Sequence, residues 1–527
     1  MPKNTFLRGA MVLTMAGIVV KILGGMNRIL LSRLLGGEGI GLYQMAYPVY
    51  ILLLSIAGAG IPIAVSIMIA EQAARGNYSG VKRIFHVTTT AMFVIAVLCG
   101  LGMAVASQAL VQYGLIRDQR ALSALLVLSP ALAISIMTCC FRGYFQGLQL
   151  MTPTAVSQMV DQFVRVCTML TLAWLFLPYG LEKAAAGAAF GAVPGAIAGL
   201  AVIAVLYYRH SRQGLPADRR HFPVRPVWSV LRRLAVLAIP VAAANMLLPA
   251  VSSIDVFIVP QRLEAAGYSV HEVTTMFGYL TGMANGLVQL PAILTIALAT
   301  SLVPAVSAAY SGGEFSKVLQ RTHTAMRIAN TITIPACFGL AVLAAPISQL
   351  LYATAAAGPA ISVLSAAVFL VGVQQITSGL LQGMGHTGIP LFNMVIAAVV
   401  KIVLSWHLTA IPWLAEVGAA WATNADLAVA AALNLYFAHR YIRYSMQWSY
   451  LGRLFLAAAA MAGTAWLVYN GIMPVLGNAL TTILAMTMAG IVYIICLFVF
   501  RAIAADDVAR IPVLGRKLSL LVRRLGK

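Results

Sequence analysis

The chain has 527 residues, of which 61% are hydrophobic and 9% charged, and its mean hydropathy is +0.90. A soluble domain carries roughly 25% charged residues to wet its surface, so this composition excludes a water-soluble globule and with it most soluble enzyme classes. The formal net charge of +21 does not point to nucleic acid, because the Lys and Arg sit in short segments between apolar runs and form no single patch interleaved with aromatics.

In chain order, charged or Gly/Pro-rich interruptions leave fourteen apolar runs, at 5–35, 42–70, 83–107, 121–145, 153–178, 184–208, 234–259, 273–309, 318–345, 360–383, 389–411, 416–438, 453–470 and 479–501. Each is long enough for a bilayer crossing, which takes about 20 residues. The first run follows Lys3 and Arg8 and continues through Lys21 and Arg28 to Leu35 without an A-x-A-like cleavage site, so it reads as a retained span. An even number of spans puts both termini on one side. With that side cytoplasmic, 26 of the 35 Lys and Arg lie in inner segments and five (Arg33, Arg117, Arg120, Lys183, Arg262) in outer ones, as positive-inside topology requires. The expected fold is an all-α polytopic membrane protein with fourteen transmembrane helices and both termini cytoplasmic.

The longest polar stretch, Arg209 to Arg233, holds seven arginines and three prolines and reads as a cytoplasmic linker. It separates an N-lobe of six spans (1–208) from a C-lobe of six (234–445), followed by spans 13 and 14 (446–502) and a basic cytoplasmic tail (503–527). The halves echo each other. An offset of 237 lays Gly76, Ser79, Val81 and His86 over Gly313, Ser316, Val318 and His323. An offset of 236 lays Gly143-Tyr-Phe-Gln-Gly147 over Gly379-Leu-Leu-Gln-Gly383, and Arg165 over Lys401. Six spans per half make the repeats parallel, related by an axis along the membrane normal, which is a carrier architecture.

Setting aside the Lys and Arg counted above in the inner and outer segments and Glu416 at the edge of its run, seven charges fall within spans: Lys21, Arg28, Arg165 and Lys401 against Asp161, Asp255 and Asp426. Each costs about 2.5 to 3.5 kcal/mol at the bilayer centre on insertion scales, so each must face a partner or a wet cavity. Lys21 and Arg28 lie two turns apart with Gly24 and Gly25 between them, and form either a cationic wall for an anionic ligand, with Asn27 as a donor, or groups that snorkel or pair elsewhere. Arg165 and Lys401, at corresponding repeat positions near the middle of spans 5 and 11, either focus positive potential in a central cavity that binds an anionic substrate, or are neutralised, Arg165 by Asp161 one turn earlier and Lys401 by Asp426. Asp255, before Pro260, either binds a coupling cation or is wetted from outside.

The other motifs are structural. Gly187, Gly191, Gly195 and Gly199 make a helix-packing stripe. The eight histidines and six cysteines show no metal-ligand spacing, no phosphate loop or nucleophile elbow is present, and no cofactor is expected.

The opening stretch Arg8 to Tyr50, the segment I-D-V-F-I-V-P-Q-R-L of span 7 and G-Y-F-Q-G-L-Q-L-M-T-P resemble the polysaccharide-biosynthesis branch of the multidrug/oligosaccharidyl-lipid/polysaccharide exporter superfamily. The resemblance is greatest to the stage V sporulation protein B group, related to MurJ-type lipid II flippases. It implies a two-lobe flippase of the bacterial cytoplasmic membrane. Such a protein moves an anionic undecaprenyl-diphosphate-linked sugar, lipid II or a relative, to the outer leaflet by alternating access, with cell-wall synthesis enzymes as candidate partners. Lipid II flippases carry S-R-V-L-G-x-x-R-D in span 1. Here Lys21 keeps the first cation, Asn27 and Arg28 replace the Arg-Asp pair, and the acid of span 2 has no counterpart near Tyr43. A cation-coupled multidrug exporter of the same superfamily is the alternative, and needs acids in its cavity. A membrane glycosyltransferase would need sizeable loops bearing acids or histidines.

Overall fold

A computed structural model describes residues 3–212, 226–500 and 502, apart from the side chains of 3–11, 14 and 248. The middle of the basic linker (213–225) and the basic tail (503–527) lie outside the described residues. Among the described residues every element is helical, as hydrocarbon demands, since a helix satisfies its backbone hydrogen bonds internally. Eleven helical segments are long and apolar enough to cross a membrane.

Contacts divide the chain into two compact units, Met1–Gly282 and Met283–Lys527. Unit 1 holds α1 (Lys3–Gly58), α2 (Ile61–Ala74), α3 (Tyr78–Gln112), α4 (Ala121–Gly147), α5 (Met151–Phe176), α6 (Leu181–Phe190), α7 (Ala192–Arg212), α8 (Val227–Ala265) and α9 (Val270–Phe277). α1 is two helices joined at Gly36, whose backbone (φ 68°, ψ −173°) is open only to glycine at little cost. α3 starts where the Asn77 side chain accepts a hydrogen bond from the Gly80 N–H at 2.8 Å.

The boundary between the units falls inside the eighth apolar run because α8 and α9 pack on α1. Glycines permit it. A Cβ on Gly41 would collide with the Thr274 carbonyl, one on Gly278 with the Gly37 carbonyl, and one on Gly60 with the Ala238 carbonyl. Polar groups then latch α9 in place. Buried Asp118 accepts hydrogen bonds from Arg120 (2.7 Å) and from the Thr274 hydroxyl (2.8 Å). Arg120 also donates to Glu38, which His271 contacts through Nδ1, both at 2.7 Å. Arg117 pairs with Glu264 at 3.4 Å, and Arg233 near the start of α8 with Glu71 at 2.6 Å.

Unit 2 holds α10 (Asn285–Ser311), α11 (Phe315–Val342), α12 (Ala344–Tyr352), α13 (Gly358–Leu364), α14 (Ala366–Gly383), α15 (Gly388–Leu408), α16 (Ala415–Ile442) and α17 (Trp448–Val499), the last turning at Gly477 (φ 70°). Its core joins Leu302 and Val306 of α10, Val318 and Ala329 of α11, and Ile376 and Leu380 of α14.

The sequence repeat corresponds to repeated packing. A Cβ on Gly143 of α4 would meet the Pro62 carbonyl of α2 at 2.9 Å, and one on Gly379 of α14 the Ala299 carbonyl of α10 at 3.0 Å. One turn on, Gly147 faces the Ser66 carbonyl and Ile69, and Gly383 faces the Val303 carbonyl and Val306. The partners Pro62/Ala299, Ser66/Val303 and Ile69/Val306 keep the offset of 237 seen at Gly76/Gly313. Likewise α5 lies along α7 and α15 along α16.

Two outcomes follow. Overpacking a filled contact costs about 1 to 3 kcal/mol, so Gly143→Val and Gly379→Val should each lower the thermal midpoint in detergent by several degrees; an unchanged midpoint in both contradicts the shared packing. Burial raises the proton affinity of Asp118, but hydrogen bonds from Arg120 and Thr274 outweigh it and hold the carboxyl below its ordinary value of about 3.9. A depressed carboxyl stabilises above that ordinary value and loses its contribution as pH falls through the lowered one. In a His271→Gln variant, which removes the histidine that contacts Glu38, hydrogen exchange over 268–277, corrected for its intrinsic pH dependence, should be flat from pH 5 to 8 and rise only below about pH 4. A transition between pH 5 and 8 would show that another group controls the latch.

Candidate functional site

The site of unit 1 lies where α1, α4 and α5 meet. α1 packs along α5, and a Cβ on Gly24 would meet Gln162 Nε2 at 3.5 Å, an ordinary contact. One turn on, Asn27 is buried and its side-chain amide donates to Met169 Sδ at 3.4 Å, so it faces α5 and no open space. Lys21 is exposed and Arg28 half-buried.

Asp161 and Arg165 sit one turn apart on α5. Arg165 Nη2 and Nε donate to Asp161 Oδ1 at 3.0 and 3.3 Å. The other carboxylate oxygen, Oδ2, faces Arg142 Nη2 of α4 at 3.8 Å, an ion pair beyond hydrogen-bond length. The glycine stripe of α7 closes over this pair: added Cβ atoms would stand 2.7 Å from Arg165 Cβ at Gly195 and 2.9 Å from Asp161 Cβ at Gly199.

Beyond the Gly36 turn, α1 carries Tyr43, Tyr47 and Tyr50 at the 4-and-3 spacing of one helix face. The Tyr43 and Tyr47 rings stack at 5.2 Å between centroids, and Tyr47 and Tyr50 lie 5.8 Å apart. The Tyr50 and Ser135 hydroxyls share a hydrogen bond at 3.1 Å. Arg28 stands on the first helix of α1, before the Gly36 turn, and Arg165 on α5, which packs along α1.

Of the residues singled out by sequence, the structure pairs Arg165 with Asp161 on α5, and Arg28 stands on α1, the helix packed along it. Lys401 is buried on α15 of unit 2, at the position that repeats Arg165, and Asp426 is half-buried on α16, the helix packed along α15. Asp255 is half-buried on α8. Arg142 was missed because it stands near the end of its apolar run and counts there as a positive-inside residue; only folding brings it to Asp161. The tyrosine ladder was legible in Y-Q-M-A-Y-P-V-Y. Among the described residues no three His, Cys, Asp or Glu side chains gather as a metal site.

Arginines inside a low-dielectric bundle, beside aromatic rings, are suited to a planar or tetrahedral oxyanion with an uncharged ring attached. Residues 6–310 match the polysaccharide biosynthesis protein family. The chain belongs to that family. This polysaccharide biosynthesis protein is 29% identical over 522 residues to the stage V sporulation protein B of Bacillus subtilis (strain 168), covering 98% of this chain and 99% of the relative. It is 26% identical over 419 residues to the lipid II flippase MurJ of the same organism, covering 76% and 77%. A solved structure of the lipid II flippase MurJ in an inward closed conformation shares its fold, with a TM-score of 0.71 at 14% identity, over 93% of this chain and 98% of that one. With its eleven membrane-length segments, it is a multi-pass bacterial membrane protein.

The burial of Asn27 in this polysaccharide biosynthesis protein separates packing from ligand contact. Asn27→Leu should lower the thermal midpoint yet leave the affinity for farnesyl diphosphate, a short polyprenyl diphosphate, within about twofold, which is about 0.4 kcal/mol. Weakening comparable to that of Arg28→Ala would make Asn27 a ligand contact.

Proposed function

We propose that the protein is a flippase that carries a polyprenyl-diphosphate-linked sugar, lipid II or a related cell-wall precursor, from the inner to the outer leaflet by alternating access. The observation that carries this reading is the Arg165–Asp161–Arg142 cluster on α5 and α4, two helices that both pack on α1, which carries Arg28 and the tyrosine ladder. The cations match a diphosphate; the ring faces match a sugar. The kinship with a protein named for lipid II flipping supports the substrate class. Lys21 and Lys401 are proposed as further substrate contacts on charge alone, and Asp255 and Asp426 as ion-pair or coupling groups.

In this reading the chain makes fourteen spans. The turns at Gly36 and Gly477 each divide one of the eleven membrane-length segments in two, and α16, 28 residues long, adds the last. Both termini and the basic linker face the cytoplasm, as the Lys and Arg distribution asks, and residues 1–208 and 234–445 form the two six-span lobes. No bond is broken in the cycle, so the protein needs no catalytic group.

The test is transfer of a fluorescent undecaprenyl-diphosphate disaccharide between leaflets of proteoliposomes. Arg28→Ala and Arg165→Gln should each slow transfer at least about tenfold, equivalent to about 1.4 kcal/mol, with the protein still folded by thermal shift. Transfer at the parental rate in both variants overturns the proposal.

A further inference from the structure

We propose that Asp161 is a built-in counter-ion that holds the arginines of the empty site and yields them to the diphosphate of the substrate, so that it sets both affinity and release. This rests on the flippase reading above. The geometry is that of an anion shared between two helices. One carboxylate oxygen takes two hydrogen bonds from Arg165 of α5, and the other faces Arg142 of α4 at 3.8 Å. A pair serving only to neutralise Arg165 needs a single arginine, and the i,i+4 spacing on α5 supplies it. The second arginine leaves a surplus of positive charge that a single carboxylate cannot match.

Three features make the arrangement exchangeable. The side chains of Arg142, Asp161 and Arg165 retain 20%, 20% and 12% of their exposure, so a ligand can reach all three. Arg142 is held by charge alone, without a hydrogen bond, and is the first contact to give way. α7 approaches the stems of Asp161 and Arg165 so closely at Gly199 and Gly195 that no side chain would fit there, which leaves their terminal groups as the parts free to turn. A diphosphate carries more charge and more acceptor oxygens than a carboxylate, and displaces it where both compete for guanidinium groups. When the headgroup leaves, Asp161 returns to Arg165 one turn away. The competition keeps binding from becoming too tight for turnover, because affinity held equally by the bound and moving states slows release.

The experiment measures the affinity of the full-length protein in nanodiscs for farnesyl diphosphate, alongside the vesicle transfer assay. Asp161→Asn keeps the shape and removes the charge. It should tighten the probe about tenfold and slow transfer, whereas Asp161→Glu should restore both towards the parent. Arg142→Gln should weaken the probe. An affinity unchanged or lowered in folded Asp161→Asn overturns the counter-ion role, and if that variant does not fold, parental affinity in Arg142→Gln overturns it. Should Arg28→Ala and Arg165→Gln bind the probe as tightly as the parent, the site reading itself fails. If they bind weakly while Asp161→Asn gains nothing, the counter-ion proposal alone fails.

Discussion

A guanidinium held inside a bilayer must find an opposite charge or water, and the interior of unit 1 is arranged around that demand. Arg165 meets it with a carboxylate on its own helix, and Arg142 reaches the same carboxylate from a neighbouring one. Asp161 and Arg165 are packed under α7, whose Gly195 and Gly199 leave the room that a side chain would take from them. Replacing such a group by an apolar side chain would often be neutral or stabilising. Charges kept at this depth at a cost of kilocalories are therefore better explained by what they meet during function than by the stability they add.

Glycine is the second half of the same argument. In lipid, helices gain little from burying apolar surface against each other, so association depends on close van der Waals approach, and small residues permit it. The contacts of α4 on α2 and of α14 on α10 use glycines at repeat-equivalent positions against carbonyls that keep one offset. The contacts of α8 and α9 on α1 and on the start of α2 use Gly60, Gly41 and Gly37 in the same way, but they are flanked by the Arg233–Glu71 ion pair, the His271–Glu38 contact and the Thr274–Asp118 hydrogen bond. Apolar packing with no ion pair between matched glycines suits a permanent contact. A glycine contact bracketed by charged latches can part, since hydrated charges tolerate exposure that apolar side chains do not.

This contrast explains what was legible in the sequence. The helical character and the membrane setting follow from composition, because hydrocarbon admits few alternatives. The repeat was visible in G-Y-F-Q-G and G-L-L-Q-G because the close contact tolerates no side chain at those glycines. The Arg165–Asp161 pair could be read from a spacing of four. Arg142 could not, because its partner lies on another helix and its own position near the end of an apolar run satisfied a simpler rule. The burial of Asn27 against Met169 escaped for a similar reason: periodicity locates a face, yet cannot say which neighbour covers it. The docking of α9 depends on Thr274 and Asp118, 156 residues apart, and no local pattern announces such a contact.

α1 connects these features in one chain. Its first helix carries Lys21 and Arg28, its turn is Gly36, Glu38 of the latch follows two residues later, and the second helix carries the tyrosine ladder. Ten residues separate Arg28 from Glu38, about 15 Å if helical throughout, and the only conformational freedom built into that interval is a glycine at positive φ. Any rearrangement that separates α9 from Glu38 therefore acts directly on the segment that positions the cations and the rings. The left-handed conformation at Gly36 sets the angle between them, and a side chain there would strain the one point on which both depend.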